Sequence, residues 1–143
     1  MKKTVVICDT QPIAIEGLRA LMAQHHDLAV AGEANSMMAG MELVRNLAPS
    51  ILIVDKGFGL QPVMDWIANL RASGRRTAVV VWGNAINEAE ALRMVQIGTQ
   101  GVIRKTATLR ALLDCLRMVA AGNTWMDELM FQSAEKTNGT GRS

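Results

Sequence analysis

The chain has 143 residues, half of them hydrophobic and a fifth charged, with a net charge of +2. That length suits one domain with a sizeable core, the composition is ordinary for a globular protein, and the charge is too small to argue for nucleic-acid binding by this segment. No apolar stretch reaches the ~18 residues that span a membrane, and Met1-Lys2-Lys3 leads too quickly to Asp9 to read as a signal peptide.

Thr4-Val5-Val6-Ile7-Cys8 reads as a strand buried on both faces, closed by Asp9-Thr10-Gln11. Pro12 suits a first helical turn, and Ile13, Ile15, Leu18, Leu21 and Met22 predict a helix from Pro12 to His25. Leu28 to Ala34 alternates loosely and predicts a second strand. Ser36 is the expected N-cap of a helix carrying Met37, Met41, Leu43, Val44 and Leu47, which stops before Pro49. Ile51-Leu52-Ile53-Val54 predicts a third buried strand that ends in a carboxylate, Asp55. Pro62 is expected to open the next helix, with Val63, Trp66, Ile67 and Leu70 facing inward, and Ser73-Gly74-Arg75-Arg76 to end it. Thr77 to Trp82 predicts strand four, Asn84 to Asn87 a loop, and Ala89 to Ile97 helix four. Gly101 to Lys105 predicts strand five. Thr108 is expected to cap a fifth helix bearing Leu109, Leu112, Leu113, Leu116 and Val119, which Gly122 closes.

Five strands alternating with five helices through short connections imply right-handed crossovers and an α/β, doubly wound parallel sheet covered on both faces. Residues 1–128 read as the domain, with one more turn or short helix expected between Asn123 and Phe131. Residues 129–143 read as a linker or flexible tail. With three Trp, two Phe, no Tyr and ten Met, aliphatic packing must dominate the core. Cys8 and Cys115 sit inside apolar patterns and read as buried thiols in a reducing, cytoplasmic setting.

In such a sheet the chemistry lies at the carboxyl ends of the strands. Those ends carry Asp9 and Thr10 after strand one, Asp55 after strand three, Gly83 after strand four and Lys105 in strand five. Two carboxylates on one rim repel unless a positive charge lies between them. Either Mg²⁺, which takes a few carboxylates plus waters, or the Lys105 ammonium supplies that charge. Such a site suits phosphoryl transfer, in which positioning and charge neutralisation do most of the catalysis. The plainer reading is a set of strand-end caps, with Asp55 one of them and Lys105 an ion-pair partner. No Gly-rich phosphate loop follows strand one, which argues against a small doubly wound enzyme or a nucleotide-binding protein.

The run Val6-Ile7-Cys8-Asp9-Thr10-Gln11-Pro12 followed by Glu16-Gly17-Leu18-Arg19, then Val30-Ala31-Gly32-Glu33-Ala34, Pro49 to Asp55, Gly98 to Lys105 and Ala120 to Asp127 resembles, in order and spacing, the receiver domain of two-component response regulators, within its NarL/FixJ-like (LuxR-type) branch. The resemblance implies a flavodoxin-like receiver fold with strand order 2-1-3-4-5. It implies a phosphoprotein of a phosphorelay rather than an enzyme, with Asp55 accepting a phosphoryl group from a histidine kinase. By the same resemblance, Asp9, Asp55 and the backbone carbonyl of Gly57 would hold Mg²⁺, and Lys105 would contact the phosphoryl oxygens. It further implies a homodimer in the cytoplasm, without membrane association, acting in transcription regulation. DNA would be reached only through a C-terminal helix-turn-helix domain beyond the linker.

The chain departs from that pattern where the pattern works. Thr10 replaces the second acid of the metal pair; at ~4 Å and an effective dielectric near 20, such a carboxylate–cation attraction is worth roughly 4 kcal/mol before desolvation. Gly83 replaces the hydroxyl residue that turns toward a phosphoryl group, a hydrogen bond worth roughly 1.5–3 kcal/mol. Val102, stiff at χ1, replaces the aromatic whose rotamer follows that hydroxyl. Phe58-Gly59-Leu60 replaces the usual Met-Pro-Gly run. These losses point to an atypical receiver that keeps Asp55 and Lys105 as an ion pair and works as a dimerisation or protein-interaction module. Among the remaining residues, Met37, Met38 and Met41 are expected to lie partly buried, and His25 and His26 to close helix one. Arg71, Arg75 and Arg76 are expected to form a solvated basic edge, Trp82 to be core, and Trp125 to pack the post-helix segment onto the domain.

Overall fold

A computed structural model describes residues 2–127. The strands are β1 (Lys3–Cys8), β2 (Leu28–Ala34), β3 (Ile51–Asp55), β4 (Ala78–Gly83), β5 (Gly101–Arg104) and β6 (Trp125–Met126). The helices are α1 (Pro12–Ala23), α2 (Met37–Leu47), α3 (Leu60–Ala72), α4 (Glu88–Gln96) and α5 (Leu109–Ala120), with a short 3₁₀ turn at Lys56–Phe58. All strands are parallel, in the order β2-β1-β3-β4-β5-β6.

Alternation along each strand divides the core in two. Val6, Cys8, Leu52, Val54, Val79, Val81 and Val102 face α2, α3 and α4, where they meet Val44, Val63, Trp66, Ile67 and Met94. Val5, Ile7, Ile51, Ile53, Val80, Trp82 and Ile103 face α1 and α5 and pack on Leu18, Met22, Cys115 and Leu116. This parity matters at the rim. Asp9, Asp55, Trp82 and Lys105 fall on the α1/α5 side, whereas Lys56, Gly83 and Val102 fall on the other.

The expected caps form. Ser36 Oγ accepts from Ala39 N at 3.2 Å and Thr108 Oγ1 from Ala111 N at 3.1 Å. Gly40 sits mid-helix in α2 for a steric reason: a Cβ there would lie 2.5 Å from Cys8 Sγ and 3.1 Å from Trp66. We therefore expect Gly40→Ala to lower stability by about 1–3 kcal/mol in urea unfolding, although alanine is the better helix former by about 1 kcal/mol.

Several expectations need correction. The sheet has six strands, because the segment expected to be a turn or helix after α5 instead adds Trp125–Met126 beside Gly101–Val102. Helix α1 ends at Ala23 rather than His25, and α3 begins at Leu60, before Pro62. Helix α4 buries Ala91 and Met94, leaving Leu92 and Val95 exposed. Met38 is 82% exposed while Met37 is partly buried, so the methionine cluster divides. Arg71 is no solvated edge: its guanidinium donates to the carbonyls of Gly98, Arg75 and Thr77 and to Gln100 Oε1 at 2.8–3.1 Å. The expected linker 129–143 lies outside the described residues.

Candidate functional site

Parallel β1, β3, β4 and β5 end at a common rim, and their register brings the rim residues together: Cys8 pairs with Val54, Asp55 with Trp82, and Gly83 with Arg104. Lys105 N donates to Gly83 O at 2.8 Å, which carries the β4–β5 pairing one residue past the strand. Asp9, Asp55 and the Lys105 ammonium are nearly or wholly buried there.

Asp55 is saturated by its own protein. Its Oδ2 accepts from Thr10 Oγ1 at 2.6 Å and Thr10 N at 3.2 Å, and lies 3.3 Å from Lys105 Nζ. Its Oδ1 accepts from Gly57 N at 2.8 Å, which caps the 3₁₀ turn. Burial opposes ionisation of Asp55, but the Thr10 hydroxyl, the N–H groups of Gly57 and Thr10 and the lysine outweigh it. They hold the carboxyl below the usual carboxylate range.

Asp9 is equally engaged. Its Oδ1 accepts from Gln11 N at 2.7 Å, and its Oδ2 from the Trp82 indole N–H at 2.8 Å. Lys105 Nζ lies 3.1 Å from Oδ1 and 3.0 Å from Oδ2. Burial pushes this carboxyl up despite the Gln11 N–H and Lys105. The ammonium also donates to Gln11 Oε1 at 2.8 Å and stands 5.0 Å from the centroid of the Trp82 ring, a cation–π contact. Lys105 thus bridges both carboxylates. Beneath them Cys8 is fully buried, and burial, reinforced by Asp9 and Asp55, pushes its thiol up to about 12. Such a thiol is inert.

The residues expected from the sequence do converge. Thr10, Gln11, Asp55, Lys56, Gly57, Gly83, Asn84 and Ala85 line a cavity of about 280 Å³ above Asp55. Asp9 and Lys105 are not among its lining residues, but Lys105 Nζ lies 3.3 Å from Asp55 Oδ2. The expected Mg²⁺ ligands do not fit a hydrated cation as they stand. Every carboxylate oxygen already has a donor, and the position that would add a third oxygen anion is a hydroxyl that spends its proton on Asp55. Among the described residues no group of three or more His, Cys, Asp or Glu side chains gathers to hold a metal.

Two contributors escaped sequence reasoning. Trp82 was expected to be core; its ring is, but its N–H faces Asp9, and only strand parity with Asp9 and Asp55 would have revealed this. Lys56 had no motif to mark it. Its Nζ donates to Ala85 O at 2.5 Å and Glu90 Oε1 at 2.7 Å, on the face opposite Asp55. Val102 is fully buried in the α2–α4 core. On the far edge, Arg104 N and Nε both donate to Asp127 Oδ2 at 3.3 Å. That pins the end of β6 one residue from Lys105, and Trp125 packs on the core as expected.

A family model described as the response regulator receiver domain matches residues 5–117. The nitrate/nitrite response regulator NarL of Escherichia coli K12 is 24% identical over 127 residues, covering 89% of this chain and 59% of that protein. BvgA of Bordetella pertussis, a putative positive transcription regulator of virulence factors, is 26% identical over 125 residues, covering 87% and 59% respectively. The chain therefore spans 59% of the length of these curated relatives. A LuxR-family two-component response regulator from Aurantimonas sp. superposes with a TM-score of 0.84 at 21% identity, over 96% of this chain and 99% of that one.

Proposed function

Since the chain belongs to the response regulator receiver domain family, with relatives of NarL and LuxR type, we propose that it is a receiver whose rim is neutralised from within. On this reading it serves a transcriptional regulator as a phosphorylation-independent interaction module. The observation that supports this most directly is the 2.6 Å hydrogen bond from the Thr10 hydroxyl to Asp55 Oδ2, on the oxygen that also faces Lys105. In a receiver that switches, an incoming metal ion supplies the positive charge that the apo rim lacks. Here Lys105 and five N–H or O–H donors already engage Asp9 and Asp55, so a metal or phosphoryl group must break contacts before it makes any.

The output is proposed to be protein–protein contact, including a homodimer, within a cytoplasmic regulator whose DNA contacts belong to a helix-turn-helix domain C-terminal to the described residues. The relatives' extra length and BvgA's role in transcription support this. No helix of the described residues is long and apolar enough to cross a membrane.

A second reading has an observation in its favour. The cavity above Asp55 leaves room for a phosphoryl donor, and Lys105 is in place to meet its oxygens. Asp55 would then attack phosphorus as a histidine kinase's imidazole leaves. Incubation with acetyl phosphate or beryllofluoride plus Mg²⁺ separates the two, read by intact mass and analytical ultracentrifugation. The expected result is no adduct and an unchanged oligomeric state. Stoichiometric modification of Asp55 with dimer formation establishes the second reading instead.

A further inference from the structure

The other face of the rim carries a link of a different kind. Gly83 occupies the place where a hydroxyl side chain would stand, and a Cβ built there lies 3.0 Å from Lys56 Cβ. The stem of Lys56 therefore fills the space that residue 83 leaves. From there its ammonium reaches the carbonyl of Ala85, in the β4–α4 loop, and Glu90 Oε1 in the first turn of α4. Glu90 is itself half of a capping box: its N–H donates to Asn87 Oδ1 at 2.8 Å, and its Oε1 accepts from Asn87 N at 3.1 Å. A single carboxylate oxygen thus receives both the cap of α4 and the lysine that follows Asp55. Each side chain keeps a fifth of its surface in solvent, so the pair still responds to salt. Burial opposes the charge on Glu90, but Lys56, the Asn87 N–H and more distant Arg93 hold its carboxyl below the ordinary range.

We propose that Lys56 is a positioning residue that ties the end of β3 to the start of α4, holding the β4–α4 loop and the α4 cap in one arrangement independent of the charge state of the Asp55 rim. The usual connection between a receiver rim and α4 requires a hydroxyl at 83 and a mobile aromatic at 102, and this chain has neither. An ion pair on the opposite parity from Asp55 replaces a switchable contact with a constitutive one. The inference rests on the reading of this rim as one that phosphoryl transfer does not drive.

Hydrogen exchange resolved by residue tests it on wild type, Lys56→Met, Glu90→Gln and Asp55→Asn. Lys56→Met keeps the stem against Gly83 and removes the charge. Exchange at residues 85–91 is expected to rise roughly five-fold in Lys56→Met and in Glu90→Gln, as loss of a partly buried ion pair implies. β3 and α5 should stay unchanged, and Asp55→Asn should leave residues 85–91 as they are. Added salt should speed wild-type exchange in this segment but not that of Lys56→Met, a response that lost packing would not produce. Unchanged protection in Lys56→Met, a uniform rise across the molecule or salt-independent wild-type exchange overturns the role of Lys56. Should Lys56→Met fail to fold, Glu90→Gln and the wild-type salt series decide alone. Beryllofluoride adduct formation on wild type with the Lys56→Met effect intact overturns only the phosphorylation-independent reading.

Discussion

Thr10→Asp is expected to turn a rim indifferent to Mg²⁺ into one that binds it. The exposed Thr10 side chain now donates its proton to Asp55 Oδ2. An aspartate there removes that donor and places a third carboxylate beside Asp9 and Asp55. In EDTA the variant should therefore melt below wild type, since like charges face one another with only Lys105 between them. With Mg²⁺ it should recover, because a ligand that binds only the folded state stabilises by about 2.7 kcal/mol at a hundredfold excess over its Kd. Wild type should show no such dependence. The measurement is thermal melting of both proteins over a Mg²⁺ titration, with NaCl at matched ionic strength as the control. Trp82, whose ring lies 5.0 Å from Lys105 Nζ, gives a local fluorescence signal for the same event. A wild-type melting temperature that climbs with millimolar Mg²⁺ would show that the native Thr10 rim already admits the ion.

Lys105→Met carries the larger cost to folding. The ammonium compensates Asp9 at 3.0 Å and Asp55 at 3.3 Å, all three groups being nearly or wholly buried. Removing one partner of a buried charge cluster costs about 3–5 kcal/mol, because the remaining charges are left uncompensated. The pH dependence identifies the cause. Asp9 is already pushed up by burial, and losing Lys105 pushes it further. A carboxyl whose folded value lies above its unfolded value favours folding as pH falls, so protonation of Asp9 should relieve the variant in acid. Asp55 is held below the usual range and runs the other way: its contribution is present above the unfolded value near 3.8 and is lost only as pH falls through the folded one. From neutral pH down toward the carboxylate range the Asp9 effect dominates, and the deficit of Lys105→Met relative to wild type should shrink. Adding Asp9→Asn to Lys105→Met should likewise recover part of the loss. Urea unfolding across that pH span measures both. A deficit that is constant with pH, and untouched by Asp9→Asn, would assign the cost to lost packing of the lysine stem on Trp82 rather than to charge.

How much of this was legible in the chain differs by kind of contact. The buried runs Val5–Cys8, Ile51–Val54 and Val79–Val81 announce themselves as strands because period and β-branching are local properties. The helix caps at Ser36 and Thr108 are local too, and they form as read. The convergence of Asp9, Asp55 and Lys105 followed from topology, since parallel strands bring their carboxyl ends to one edge. Arg71 misled because a basic residue near a helix end ordinarily faces water. Here the turn at Gly98 and the Gln100 amide gather four acceptors around it.

By itself, then, the sequence determined the fold class, the rim and the absence of the usual acid, hydroxyl and aromatic at Thr10, Gly83 and Val102. Those are facts of composition and order. Order and spacing placed Asp55 on the rim, and the family resemblance made it the phosphoacceptor position. Only the tertiary structure showed that it caps the 3₁₀ turn through Gly57 N while Thr10 and Lys105 occupy its other oxygen. Only the tertiary structure aimed the Trp82 indole at Asp9, across 73 residues, and laid Lys56 into the space left by Gly83. The physical reason is that a donor's partner is chosen by strand register and side-chain parity. Those are properties of the assembled sheet, and no local stretch of the chain contains them.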